Sequence, residues 1–156
     1  FRVFQGGEDE LRRFQPEHWR LAGAALFSGP YDARLEGLAR EALGIATPDP
    51  RNEAYFGPDL SAWDAASIVD QVDAAPLPLW ISFAERDLLQ MQVQAGELFA
   101  RLVSRHGFQP ELRLLREHNH FSAGCAIGPA DRGTADALAA FVRRCCGLAP
   151  DTESHA

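Results

Sequence analysis

Pro78-Leu79-Trp80-Ile81-Ser82-Phe83-Ala84-Glu85-Arg86-Asp87 is the stretch on which the reading of this chain turns. Its apolar run follows Pro76 and Pro78 and reads as a strand that ends at Glu85-Arg86-Asp87, which leaves an acid at the strand's carboxyl end. Farther on, Pro110 to Arg116 reads as another strand, followed by a loop that carries His118 and His120. An acid followed about thirty residues later by a histidine, each just past an apolar strand, is the second half of a Ser…Asp…His chain order. Neither residue comes with a matching serine.

Working outward, Leu21-Ala-Gly-Ala-Ala-Leu-Phe27 is a continuous apolar run that suits a strand buried on both faces, ending in the turn Ser28-Gly29-Pro30. Asp32 then caps a short helix whose Leu35, Leu38, Ala39 and Leu43 recur at helical spacing until Gly44 stops it. Ile45 to Pro58 holds three prolines and little periodicity, and is expected to be largely loop, a place for a cap or lid within an insertion spanning 45–75. After Asp87, Met91, Ala95, Leu98, Phe99, Leu102 and Val103 form one apolar helical face, with Gln92, Glu97, Arg101 and Ser104 largely off it and Gly107 as the left-handed stop. The last helix has Thr134 as its expected N-cap and Leu138, Phe141, Val142 and Cys145 facing inward, and residues 148–156 read as a loose polar tail. Strands alternating with helices predict a parallel sheet covered on both faces, a three-layer α/β/α arrangement in which 1–147 form the C-terminal portion of a single domain. In such sheets function gathers at the carboxyl ends of the strands, where Asp87 and His120 both lie.

Composition limits the alternatives. The chain has 156 residues with 46% hydrophobic content, enough for a real core. Its 22 acidic and 15 basic residues give a net charge of -7, which disfavours nucleic acid or an anionic membrane surface as a partner. Apolar stretches fall short of the roughly 20 residues of a membrane helix, and neither a span nor a signal peptide is read. Cys125, Cys145 and Cys146 make an odd count without CxxC spacing, so neither a disulfide framework nor a zinc site is indicated, and a reducing, cytoplasmic setting is preferred. Cys145 and Cys146 end an apolar stripe and read as small buried thiols. The chain opens at Phe1 and its one methionine is Met91, so further residues are expected upstream.

Taken together, these segments resemble the alpha/beta hydrolases, in particular the carboxylesterase and lipase branch that includes hormone-sensitive-lipase-like and kynurenine-formamidase-like enzymes. Leu21 to Asp32 looks like the strand and turn that follow the nucleophile helix in that family. Tyr55-Phe56-Gly57-Pro58-Asp59 through Ser67 is similar to its "YFG.D…S" insertion. Pro76 to Asp87, with Gln94-Ala95 and Gly107, resembles the acid strand and its helix, and His118-Asn119-His120-Phe121-Ser122 the histidine loop. The likeness spans roughly residues 20 to 146, the C-terminal part of such a fold.

The resemblance implies a carboxylic ester hydrolase in which a serine attacks the acyl carbonyl, His120 moves the proton and Asp87 orients the imidazole, with no metal or organic cofactor. An aryl-formamide hydrolase and a non-catalytic binding module of the same fold are the competing readings. From the residues alone, Asp87 also suits a helix N-cap, Glu85 is an alternative acid, and His118 an alternative base. His118-x-His120 beside Glu117 has the alternation of a metal site but lacks a third ligand cluster. Tyr55, Phe56, Trp63 and Phe121 are candidates for lining a substrate pocket, with core packing as the other reading for the first three. No G-x-S-x-G and no HGGG-type loop occurs, and Gly6-Gly7 has no serine nearby. Ser28 enters a turn with Pro30, and Ser122 reads as a loop cap, so neither is expected to be the nucleophile. Family order places the nucleophile and oxyanion hole upstream of Leu21. This chain alone is therefore expected to be inactive and to self-associate or to depend on that upstream half.

Overall fold

A computed structural model describes residues 21–42, 44, 50–69, 71, 77–125, 127–128 and 131–148. Gly6-Gly7, Leu43, the first part of the expected loop (45–49) and residues 149–156 of the expected tail lie outside them. Three strands, β1 (Ala24–Phe27), β2 (Leu79–Arg86) and β3 (Glu111–Asn119), pair in parallel in the order β1-β2-β3. The central place falls to the most buried strand. Leu79, Trp80, Ile81, Ser82 and Ala84 of β2 are all buried.

Side-chain alternation divides β2 between two helices. Leu79 and Ile81 join Ala95, Leu98 and Leu102 of an 18-residue helix, Leu89–His106, in one core cluster. Trp80 points to the other face, where its ring meets Phe141 of the helix Arg132–Cys146 at 5.9 Å in an edge-on contact. On that same face Gly23 lets the helix approach, because a Cβ there would stand 2.6 Å from Cys145 Sγ. The chain is thus an α/β structure with helices on both faces of a parallel sheet. In chain order the helices are α1 (Ala33–Ala42), α2 (Pro50–Phe56), α3 (Leu60–Ala66), α4 (Leu89–His106), α5 (Ser122–Cys125) and α6 (Arg132–Cys146).

Several expectations need correction. β1 is four residues long and only partly buried, with Ala25 exposed, because among the described residues it has β2 as its one strand neighbour. Pro50 to Phe56 is helical rather than loop. Pro50 occupies a first-turn position where its missing amide costs nothing, and Gly57 at φ 90° closes the helix by donating to the Glu53 carbonyl at 2.8 Å. The N-cap of α6 is Asp131, not Thr134, since the Asp131 carboxylate accepts from the Thr134 amide at 3.0 Å. Val103 and Val142 are exposed, as is Cys146, while Gln94, a polar residue, is fully buried. α4 otherwise has the expected apolar face, and Gly107 ends it at φ 61°. Asp32 caps α1, its Oδ1 accepting from the amides of Arg34 (2.9 Å) and Leu35 (3.1 Å).

Gln94 holds the turn after β1 against α4. Its Oε1 accepts from the amides of Tyr31 (2.9 Å) and Asp32 (2.7 Å), and its Nε2 donates to the Asp32 carbonyl at 2.9 Å. Ser67 continues the clamp toward α3, since its Oγ accepts from the Ala33 amide at 2.9 Å and donates to the Trp63 carbonyl at 2.8 Å. A buried amide of this kind stabilises because every backbone group it takes from water is repaid in kind. Gln94→Leu keeps the volume and removes those bonds, so it is expected to destabilise the chain by on the order of 2–4 kcal/mol. Urea denaturation should show a lower midpoint at unchanged slope; an unmoved midpoint would contradict the clamp.

Candidate functional site: an acid and a histidine at the strand ends

Asp87 lies in a tight turn one residue past β2, with its amide donating to the Ala84 carbonyl at 3.2 Å. Its side chain is fully buried, 0% exposed. The carboxylate nevertheless has a full set of partners. Oδ1 accepts from the Leu88 amide at 2.9 Å and faces His120 Nδ1 at 2.8 Å. Oδ2 accepts from the Ala84 amide at 3.0 Å and from Ser28 Oγ at 2.5 Å. An ionised carboxylate only accepts and has about four lone-pair sites, so four donors fill it. The N-cap reading of Asp87 does not hold: α4 begins at Leu89, and its N-cap Leu88 makes no side-chain cap bond.

In a neutral imidazole, a carboxylate at Nδ1 selects the Nδ1–H tautomer, in which Nε2 is the acceptor. The side chain is 33% exposed, so the ring is anchored on one edge and open on the other. A kink in β3 brings it there. Ala84 pairs with Leu115, but Arg86 pairs with Asn119, so two residues of β2 oppose four of β3. The extra residues include Glu117 at φ 65°, a left-handed conformation that a non-glycine residue adopts only when its surroundings hold it. What holds it is Glu85, whose Oε2 accepts the Glu117 amide at 2.8 Å. Glu85, the alternative acid, is thereby given to the bulge rather than to an imidazole.

His118 falls inside β3, not in a loop, and turns to different partners. Its Nε2 meets Asp131 Oδ2 at 2.9 Å and its Nδ1 meets Ser122 Oγ at 3.2 Å. With both ring nitrogens engaged, His118 ties the end of β3 to the start of α6. The two imidazoles thus belong to two separate carboxylates. Hydrogen bonds from Thr134, with a further one from His118, hold the Asp131 carboxyl below the usual carboxylate range. Ser122 caps the loop as expected, its Oγ accepting from the Asn119 amide at 2.9 Å, while Asn119 Oδ1 accepts from the amides of Phe121 and Ser122 at 3.0 Å. Among the described residues no group of three or more His, Cys, Asp or Glu could hold a metal ion.

The four aromatic candidates separate. Phe121 is 80% exposed and stands edge-on to the His120 ring at 5.5 Å. Phe56 contacts Tyr55 at 4.9 Å and Trp63 at 5.5 Å between centroids, and Trp63 Nε1 donates to the Gly57 carbonyl at 2.9 Å. Trp63 is buried as the bridge between α2 and α3, whereas Tyr55 is exposed. A cleft of about 410 Å³ lined by Phe99, Pro110, Leu112 and Arg113 lies at the amino end of β3, away from the dyad.

Sequence reasoning named Asp87 and His120, and the structure joins them. It missed the hydroxyl of Ser28 on the acid and the Glu85–Glu117 bond that aims the histidine. The turn Ser28-Gly29-Pro30 offered a signal for the first; nothing in residue type marks the second. Among the described residues no helix is long and apolar enough to cross a membrane. A scan against protein-family models finds no match to this chain, and a search of curated proteins finds none either.

Tyr31 closes the site from behind. It is buried, and a Cβ on Gly29 would meet its ring at 2.9 Å. Burial above all pushes its phenol up to about 12; the Gly29 amide opposes this and the Asp87 charge adds to it. The folded chain therefore keeps a proton that the unfolded chain releases near pH ~10. Stability from this source is complete below about pH 10 and is lost as pH rises toward about 12. Urea midpoints taken across that window should fall less steeply for Tyr31→Phe than for the unaltered chain, and equal slopes would show that Tyr31 does not sense burial beside Asp87.

Proposed function

We propose that this chain supplies the acid and the base of a serine carboxylesterase-like hydrolase of alpha/beta-hydrolase fold, with the nucleophilic serine and the oxyanion hole outside these residues. One observation carries the reading. A buried carboxylate with four donors holds His120 by Nδ1 and presents Nε2 outward, which is the arrangement a general base for a hydroxyl nucleophile requires. The parallel sheet supports it by putting both residues at strand carboxyl ends on adjacent strands.

In the proposed reaction, Nε2 removes the serine proton as the serine oxygen bonds to the ester carbonyl carbon. The carbonyl electron pair moves to oxygen. As the tetrahedral intermediate collapses, the bond to the leaving oxygen breaks and Nε2–H returns the proton to the alcohol, leaving an acyl-serine. Water then takes the place of the serine, giving up a proton to Nε2, and the carboxylic acid departs as the serine recovers that proton. Asp87 remains a carboxylate throughout, countering the positive charge of the imidazolium at 2.8 Å. These residues ask for no metal or organic cofactor. In this reading the substrate is a small ester, and the exposure of Phe121 with its edge-on contact to His120 supports a role for it in touching the leaving group or acyl chain.

The test is hydrolysis of p-nitrophenyl acetate by the full-length gene product. Asp87→Asn, which alters the tautomer control with little change in shape, and His120→Ala are each expected to lower kcat by roughly 10³- to 10⁴-fold. An aryl formamide assayed alongside distinguishes the formamidase branch. Hydrolysis indifferent to both substitutions would remove the dyad from the chemistry and leave a binding module.

A further inference from the structure

Ser28 is strained, buried and bonded to the acid. Its φ of 44° lies in the left-handed region, where serine is unfavourable and glycine is at ease. Its amide still donates to the Ser82 carbonyl at 2.9 Å, which carries the β1–β2 ladder one residue past the strand. Only 6% of the residue is exposed, and its hydroxyl goes to Asp87 Oδ2 at 2.5 Å rather than to His120. A burial of this kind leaves no path for a substrate carbonyl, and the bond to the acid is not one a nucleophile makes. The cost of keeping a β-carbon at this φ asks for a reason, and the hydroxyl supplies it.

Resting on the hydrolase reading above, we propose that Ser28 is a positioning residue for the acid: its hydroxyl locks the rotation of the Asp87 carboxylate so that Oδ1 stays on His120 Nδ1. Rotation about the bond to a carboxylate is broad and roughly two-fold, so it needs fixing by partners on both oxygens. Oδ1 has the Leu88 amide and His120; Oδ2 has the Ala84 amide and Ser28. Ser28 is thus the one side-chain donor, besides His120, that the described residues bring to this carboxylate. The next residues form its mount. Gly29 has no side chain because the Tyr31 ring would meet one, Tyr31 and Asp32 give their amides to Gln94, and the turn cannot slide away from Asp87. The hydroxyl donor therefore arrives from a different strand than the acid, and the acid's orientation is coupled to the β1–β2 pairing.

The experiment compares Ser28→Gly, which suits the backbone and removes the donor, with Ser28→Asn, which tolerates the same backbone and restores an N–H donor. In the full-length protein labelled with ¹⁵N-histidine, proton–nitrogen correlation reads the His120 tautomer. The unaltered protein should show Nδ1–H alone. Ser28→Gly should show a mixture of tautomers and a kcat for p-nitrophenyl acetate lower by about 10- to 100-fold, with KM changed less than about twofold. Ser28→Asn should recover both. A Ser28→Gly protein with the unaltered tautomer and kcat overturns the proposal and makes Ser28 a turn residue. Should the glycine variant fail to fold, Ser28→Ala against Ser28→Asn makes the same comparison, and identical spectra from those two overturn it as well. The hydrolase reading fails separately. Tautomer mixing in Ser28→Gly without any ester hydrolysis by the parent protein keeps the positioning role and ends that reading, whereas hydrolysis abolished by Asp87→Asn but untouched by Ser28→Gly keeps the reading and ends the role.

Discussion

A carboxylate buried to 0% exposure is the constraint on which the rest of this structure depends. Taking an ion out of water costs several kcal/mol unless nearby donors replace the lost hydration. At Asp87 the donors come from four places: the β1 turn, the last buried turn of β2, the start of α4 and the loop beyond β3. Each must be in position for the ion to be tolerated. The alignment of three strands, the turn at Ser28 and the bulge at Glu117 are therefore coupled through one side chain. One of those donors, Ser28, and the bulge residue Glu117 ahead of His120 have left-handed backbone, and strain of this kind clusters where side chains are held in a fixed arrangement.

The surrounding polar network explains why the strain persists. Gln94, Ser67 and Asp32 bind the turn after β1 to α4 and α3 by bonds that no solvent reaches, and the aliphatic cluster of Leu79, Ile81, Leu98 and Leu102 lies beneath. Fully satisfied networks of this kind rigidify a core, whereas a partly satisfied one would weaken it. On the far side, His118 and Asp131 bind the end of β3 to the start of α6. The dyad is thus clamped from both faces of the sheet while Nε2 of His120 remains toward the open side.

Much of this was legible in the residues. Apolar runs bounded by Pro78 and Pro110 marked two of the strands, the 3.6-residue stripe from Met91 to Leu102 marked α4, and an acid and a histidine past strand ends marked the dyad. What escaped did so for physical reasons. The prolines around Pro50 hid α2, because the same residue that breaks a helix interior starts one well. The bulge in β3 carries no glycine, so nothing in its residue types announces that two extra residues turn His120 rather than His118 toward Asp87. The partial burial of β1 depends on how many strands flank it, which its own four residues cannot encode. Ser28 looked like punctuation after a strand, since a hydroxyl's partner 59 positions away is a property of the fold.

The account rests on His120 being the base that activates a serine through Nε2. The most direct measurement is labelling of the full-length gene product with a fluorophosphonate, which reacts with activated serines, followed by mass spectrometry of the labelled peptide in the unaltered protein and in His120→Ala. The account predicts a single labelled serine outside these 156 residues, with labelling slowed in the variant by roughly 10³-fold or more. Labelling at Ser28 or Ser122, or labelling that His120→Ala leaves unchanged, would contradict it.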